Sequence, residues 1–256
     1  MKDSGKYAKK VVRLFSSLKK ANPAPKEPEY PDPVDSVVFG ILSEHITYKD
    51  AKSAMRKIKS HFVDLNDLRV SRAEEIVDVL GLEKESGLKV AADITKVLNV
   101  VFDRYDSISL ETLMEVGKRQ AKKELEELEC ISPFAIGYCF LTSLKGHAIP
   151  LTESMVAYFH DNELVHSGAA ADVIEGFLER QINSSEGYAF YQLIREESEK
   201  TTSRTRTTAK TAAETKTAAG KTTAKKKTAA KKTVKKKTAK KKTTTKKKTT
   251  AKRNSK

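Results

Sequence analysis

Residues 125–140, "LEELECISPFAIGYCF", have the apolar spacing of two short helices that meet at a tight turn. The turn itself, Cys130-Ile131-Ser132-Pro133, contains no glycine. Tight corners usually contain glycine, because it adopts strained backbone angles and lets another group approach the chain closely. The stretch therefore predicts a helical hairpin, and its function depends on what a hairpin without glycines can bind.

Helical periodicity continues on both sides of this hairpin, and sustained strand-like alternation is absent. A first amphipathic helix is predicted over residues 6–20. The connector that follows, residues 21–33, has five prolines in thirteen residues and is predicted to be extended. From there to about residue 198, amphipathic helices alternate with short turns. The pattern predicts an all-α globule rather than a coiled coil.

Capping residues and glycines mark the expected ends of these helices. A helix start is predicted at Asp35-Ser36, before the apolar run 37–42, and a capping box is predicted from Ser71 to Glu74. Three glycines mark further boundaries: an end at Gly81, the start of a long helix after Gly87, and a break near Gly117.

The charge of the chain is concentrated at its C-terminal end. Residues 201–256 hold 22 lysines and arginines and one acid, Glu214, whereas residues 1–200 hold 27 basic and 33 acidic side chains. The C-terminal segment consists almost entirely of Lys, Thr and Ala and has no aromatic residue. With so little apolar surface to bury, it is predicted to be disordered when free.

A flexible chain carrying this much positive charge indicates a polyanionic partner. Lys/Thr/Ala repeats cannot recognise base edges, so we expect double-stranded DNA to be bound independently of sequence, with RNA as an alternative partner. A solubilising tail or an acidic protein partner is the competing interpretation. The composition resembles the C-terminal arm of linker histones and bacterial histone-like proteins. The candidate DNA contacts are Lys225, Lys226, Lys227, Lys235, Lys236, Lys237, Lys246, Lys247 and Lys248.

Other classes of protein fit the sequence poorly. The two cysteines, Cys130 and Cys139, form neither a disulfide framework nor a CxxC metal motif. No run of about 18 apolar residues is present, so no membrane span is expected. The N-terminus lacks the apolar core of a secretory signal. Residues 7–20 fit either a basic transit helix or the first helix of a domain, and we prefer the second.

The body resembles the helix-hairpin-helix DNA glycosylases of the endonuclease III superfamily over about residues 31–198. Residues 32–58, "DPVDSVVFGILSEHITYKDAKSAMRKI", are similar to the entry helices of that family. Residues 73–94, "AEEIVDVLGLEKESGLKVAADI", are similar to the segment that leads to the hairpin. Residues 125–140 then coincide with the hairpin, L-P-G-V-G-x-K-T-A, and residues 147–159, "HAIPLTESMVAYF", with the V-D-T-H-V stretch.

The hairpin departs from the family pattern where the family contacts a DNA phosphate. Leu128 and Ile131 keep the apolar positions, but Glu129 replaces the proline and Cys130 and Ser132 replace the glycines. These side chains would crowd the approach of a phosphate to the backbone amides, and Glu129 would repel it. The resemblance implies a weakened contact with DNA through the turn and the residues after it, Cys130, Ile131, Ser132, Pro133 and Ala135.

The resemblance also implies that catalysis is lost. Phe134 stands where bifunctional members carry the lysine that forms a Schiff base. Thr152 stands where active members keep an aspartate, and a neutral hydroxyl cannot stabilise a cationic sugar as a carboxylate does. A shift of one residue would place Glu153 there instead, so this acid is an alternative catalytic candidate. Lys145 is a second, weaker candidate for a displaced amine.

No cofactor is expected. The family's iron–sulfur loop needs four cysteines after the last helix, and none follows Cys139. The histidines do not show metal-ligand spacing with acids or cysteines. His45 occupies the position of a residue that fills the space left by an extruded base, and is therefore a candidate for the base pocket. An ordinary, partly buried histidine is the competing interpretation.

These observations predict three regions: a basic helix with a proline-rich connector at 1–30, an all-α, helix-hairpin-helix glycosylase-like domain at 31–198, and a disordered basic tail at 199–256. The expected function is DNA binding without catalysis, by a monomer in the cytoplasm at the nucleoid, or in the nucleus of a eukaryote. The alternatives are an active glycosylase that uses Glu153 or another acid, and a histone-like compaction protein.

Overall fold

The computed structural model describes residues 4–128 and 130–203 of the 256-residue chain, and no strand occurs among them. Residues Met1–Thr202 belong to one compact unit. The predicted all-α class is confirmed. The helices are α1 (Ser4–Ala21), α2 (Pro33–His45), α3 (Tyr48–His61), α4 (Leu65–Val70), α5 (Ala73–Leu80), α6 (Lys84–Tyr105), α7 (Thr112–Glu115), α8 (Lys118–Glu126), α9 (Pro133–Thr142), α10 (Glu153–Asp161), α11 (Ala171–Gln181) and, after the 3-10 turn Ser184–Glu186, α12 (187–203).

Helix α2 packs antiparallel against α9, the second helix of the hairpin. At one end the Ser132 hydroxyl donates to the Glu44 carboxylate, and at the other the Cys139 thiol lies 3.7 Å from the Pro33 carbonyl oxygen. Gly40 permits the close contact between the helices, because a Cβ there would lie 3.0 Å from the Cα of Ala135. The apolar core thus fixes the hairpin against α2.

Helices α1 and α12 cover this core. Phe15 of α1 meets Phe190 of α12 edge to face, with ring centroids 5.2 Å apart. The proline-rich connector is extended, as predicted, and is attached through Tyr30, whose hydroxyl lies 2.9 Å from that of Tyr138. Burial raises the pKa of both tyrosines, so their hydroxyls stay protonated and able to bond.

Helix α2 begins earlier than predicted. Asp32 is its N-cap, with a carboxylate oxygen that accepts from Val34 N at 2.8 Å, and Pro33 occupies the first helical position. The prediction of a cap at Asp35-Ser36 was wrong. Ser36 is buried and donates to the Pro33 carbonyl, and Asp35 pairs with Lys59. Pro33 favours the first position of a helix, and it therefore places the start of α2 before the polar pair Asp35-Ser36.

The Ser71–Glu74 capping box was also wrong. Helix α5 starts after Arg72 without a side-chain cap. Ser71 is the C-cap of α4, and its hydroxyl donates to the carbonyl oxygen of Asp67 within that helix. The end at Gly81 is confirmed, with φ of +68°.

The predictions at two further glycines differed in outcome. The long helix α6 starts at Lys84 rather than after Gly87. Gly87 instead lies inside α6, where a Cβ would come 3.0 Å from the Val77 side chain, so it permits close packing on α5. The break near Gly117 is confirmed, since α7 ends at Glu115 and α8 starts at Lys118.

Candidate functional site

The predicted hairpin is present as α8, a short turn and α9. Leu128 and Ile131 are buried, and Ile131 N donates to Leu128 O at 3.0 Å, which closes the turn. Ser132 caps α9 by accepting from Ala135 N at 3.1 Å, and Pro133 occupies the first helical position. The apolar framework of the hairpin is therefore complete without glycine.

Several polar groups at this turn are already bonded within the chain. The amides of Ile131 and Ala135 have internal acceptors, and the Ser132 hydroxyl donates to the Glu44 carboxylate at 2.5 Å. Cys130 is half-buried, and desolvation raises the pKa of its thiol. An acidic group next to the first turn of α9 opposes the approach of a phosphate. Glu129, the other predicted source of repulsion, lies outside the described residues.

Phe134, which the resemblance predicts at the position of the family's lysine, lies in the core and is 4 % exposed. Its ring centroid lies 6.5 Å from that of Tyr138 and 6.4 Å from that of Tyr191. The Arg195 guanidinium carbon lies 5.7 Å from the centre of the same ring. Phe134 is therefore surrounded by the Tyr138 ring of α9 and by Tyr191 and Arg195 of α12. A guanidinium stays protonated, so Arg195 cannot act as an imine-forming amine.

Arg195 ties α12 to the end of α2. Its side chain is 2 % exposed and donates to the carbonyl oxygens of Ser43 and Ile46, the second at 3.0 Å. It also pairs with Glu199 at 2.6 Å, and Glu199 accepts from Tyr48 N at 2.9 Å. Helix α12 thus fills the space between the end of α2 and the start of α9. Sequence reasoning missed Arg195, because one arginine in an amphipathic helix gives no sign of burial.

Thr152, which the resemblance predicts at the position of the family's aspartate, is 5 % exposed and is the N-cap of α10. Its hydroxyl accepts from Met155 N at 3.4 Å and lies 3.0 Å from the Ser154 hydroxyl. The side chain therefore has a capping role and supplies no charge. Glu153 is the first residue of α10 and is exposed to solvent.

A second acid, which sequence reasoning did not identify, lies close to Thr152. Glu175 of α11 accepts from Leu151 N at 3.1 Å, and burial raises the pKa of its carboxyl group. It borders a cavity of about 380 Å³ between the hairpin and α11, whose lining includes Lys122, Ile136 and Pro150. No local signal reveals this acid, since its bonding partner is 24 residues away.

The remaining candidates lie at the surface. His45 ends α2, with Nε2 3.7 Å from a carboxylate oxygen of Asp93, so it faces α6. Lys145 pairs with Glu27 at 3.0 Å. Among the described residues no three His, Cys, Asp or Glu side chains are grouped as metal ligands. No described helix is long and apolar enough to cross a membrane. The nine candidate lysines of the tail lie outside the described residues.

Neither a protein-family profile nor a curated protein sequence matches this chain. Solved structures do. An endonuclease III–DNA covalent intermediate is 14 % identical, with a TM-score of 0.58 over 73 % of this chain and 84 % of that one. Clostridium acetobutylicum 8-oxoguanine glycosylase/lyase with DNA is 14 % identical, with a TM-score of 0.59 over 78 % and 71 %. H. pylori 3-methyladenine DNA glycosylase is 14 % identical, with a TM-score of 0.54 over 78 % and 98 %. The chain has the helix-hairpin-helix DNA glycosylase fold.

Proposed function

We propose that this protein binds double-stranded DNA without excising bases, and that its basic tail supplies most of the affinity. The proposed absence of base excision rests on one observation, the closure of the expected site. Phe134 and Thr152 hold the two catalytic positions, both are buried, and neither supplies an amine or a carboxylate. Buried Arg195 occupies the adjoining space. Because the Arg195 guanidinium lies 5.7 Å from the centre of the Phe134 ring, a nucleotide could not reach Phe134 unless α12 moved.

The distribution of charge supports the DNA-binding half. Residues 201–256 carry a formal +21, whereas residues 1–200 carry −6. Clustered lysines neutralise phosphates and release condensed counterions, so the tail would bind any duplex and hold the acidic body near it. The protein would work as a monomer at the nucleoid, or in the nucleus of a eukaryote. RNA offers the same phosphates and would compete.

One observation favours the alternative of an active glycosylase. Glu175 is partly buried, has a raised pKa and lies beside Leu151, next to the family's aspartate position. A carboxyl group in such an environment resembles a general acid. However, its oxygen already accepts from a backbone amide, and Phe134 leaves no amine beside it. We therefore place this function second.

The salt dependence of binding tests the proposal. For the full chain, the affinity for fluorescent duplexes of three unrelated sequences should fall together between 50 and 200 mM salt. If about ten lysines contact phosphates, the slope of log K against log salt should be about −9. Fluorescence anisotropy measures this slope, and duplex RNA is the competitor. Strong preference for one duplex, or an affinity insensitive to salt, would contradict sequence-independent electrostatic binding.

A further inference from the structure

Helix α3 carries a row of cations on one exposed face. Lys49, Lys52, Arg56 and Lys59 follow one another at intervals of three, four and three residues, and all four are exposed. Residues at this spacing stack along one side of a helix, so the row extends over about 15 Å. We call these four residues the α3 row. It is prominent because residues 31–200 carry a net negative charge.

The α3 row borders an open groove of about 630 Å³. The proline-rich connector forms the opposite side through Pro28 and Tyr30, and Phe39 and Met55 lie at the floor. An apolar floor lowers the local dielectric constant and strengthens the attraction between the cations along its edge and a bound anion. The groove therefore combines clustered positive charge with an apolar surface that strengthens the binding of an anion.

Part of the α3 row has no internal counter-charge. Lys59 pairs with Asp35 at 2.8 Å, and the Lys52 ammonium lies 5.1 Å from the centre of the Tyr48 ring. Within the described ranges, no carboxylate lies within 4.0 Å of Lys49, Lys52 or Arg56. These three side chains are therefore available to an external anion.

The start of the α3 row lies near the end of α2 that contacts the hairpin. Helix α3 starts two residues after α2 ends, and Glu44 near that end bonds to Ser132 at the start of α9. The N-terminal end of the row, with Lys49 and Lys52, is thus close to the corner at which this fold presents its hairpin. A long polyanion lying across that corner would continue along α3.

We propose that the α3 row binds the phosphates of a DNA strand and is the main contact of the folded body with DNA. This inference rests on the proposed function and locates its second binding site. It places the phosphate contact on α3 instead of on the hairpin turn, where the Ser132 hydroxyl and the amides of Ile131 and Ala135 are bonded internally. DNA fits better than an acidic protein segment, because the row is regularly spaced and continues from the hairpin corner.

The test compares two full-length triple variants that lose the same charge. The first is Lys49→Gln, Lys52→Gln and Arg56→Gln. The matched control is Lys6→Gln, Lys9→Gln and Arg13→Gln on exposed positions of α1. Because each lost phosphate contact changes the log–log salt slope by about 0.9, the first variant should have a slope shallower by about 2.7. The control should keep the wild-type slope.

A third variant separates charge from folding. Lys49→Arg, Lys52→Arg and Arg56→Lys retains the cations and should bind as the wild type does. Equal slopes for all variants, or an equal loss in the α1 control, would overturn the inference while leaving the proposed function intact. So would a first variant that loses affinity for polyglutamate but not for DNA. If the wild type itself fails to bind DNA, the proposed function has failed.

Discussion

Deleting residues 209–256 should lower the affinity for duplex DNA at least a thousandfold at 50 mM salt. The deleted segment carries most of the positive charge of the chain, and what is left is acidic overall. A protein making about 6–10 phosphate contacts loses roughly 10³–10⁵ in affinity between about 50 and 200 mM salt. Removing the cations abolishes these contacts, so the loss should be at least as large. The cut lies beyond residue 203, so it spares every described residue. Anisotropy titration measures the loss.

A scrambled tail is the matched control for this deletion. The same Lys, Thr and Ala residues in another order keep the charge and should keep the affinity, because counterion release does not depend on the order of residues. If the deletion leaves the affinity within about tenfold of the wild type, the tail has another role, such as solubility or binding an acidic protein.

Replacing Arg195 with Met should destabilise the folded body by about 3–5 kcal/mol. Removing one partner of a buried ion pair has a cost of about this size, and removing the donor also leaves two acceptors, Ser43 O and Ile46 O, without this bond. Methionine fills much of the same volume, so the loss reports on charge and hydrogen bonds rather than on a cavity. Urea denaturation followed by circular dichroism measures the free energy of unfolding.

Arg180→Met is the matched control for this second prediction. Arg180 is exposed on α11, so its replacement should change stability by no more than about 0.5 kcal/mol. A loss below about 1 kcal/mol for Arg195→Met would mean that this side chain does not hold α12 against α2. The expected site would then not be held closed by a stable contact of Arg195.

Periodicity was enough to predict the all-α class and the hairpin, but not the short helix α4. The apolar spacing of Leu128 and Ile131 identified the hairpin, and both side chains are buried as expected. Helix starts were less predictable, because Asp32, Asp35 and Ser36 are all good caps and only Pro33 decides among them. Gly87 looked like a helix start and proved to be a packing position, because its role depends on Val77 across the helix interface.

The candidate site was only partly predictable, for a related physical reason. The sequence was enough to assign Phe134 and Thr152, by resemblance, to the family's catalytic positions. It was not enough to predict that both side chains are buried. Closure depends on Arg195, whose carbonyl partners lie 149 and 152 residues away. Glu175 is hidden in the same way, since only the folded chain brings it to Leu151. Long-range contacts of single charged residues leave no periodic trace in a sequence.

The closed site and the basic tail suggest a division of roles within one chain. In the proposed function the tail would bring the protein to DNA through its charge, and the α3 row of the folded body would add a second contact. In the proposed function such a body would contact DNA without extruding a base, because Phe134 is buried and the Arg195 guanidinium lies against its ring. Both DNA contacts would then be insensitive to the identity of the bases.

Single-turnover base release tests the central claim most directly. Full-length protein in excess is incubated with duplexes that carry uracil, an oxidised base or an alkylated base, and the free base is quantified. If the protein binds DNA without excising bases, we expect no release above that of DNA alone, under salt conditions at which anisotropy shows the duplex fully bound. Release that disappears in Glu153→Gln or Glu175→Gln would contradict it, because the fold would then retain a working catalytic carboxylate.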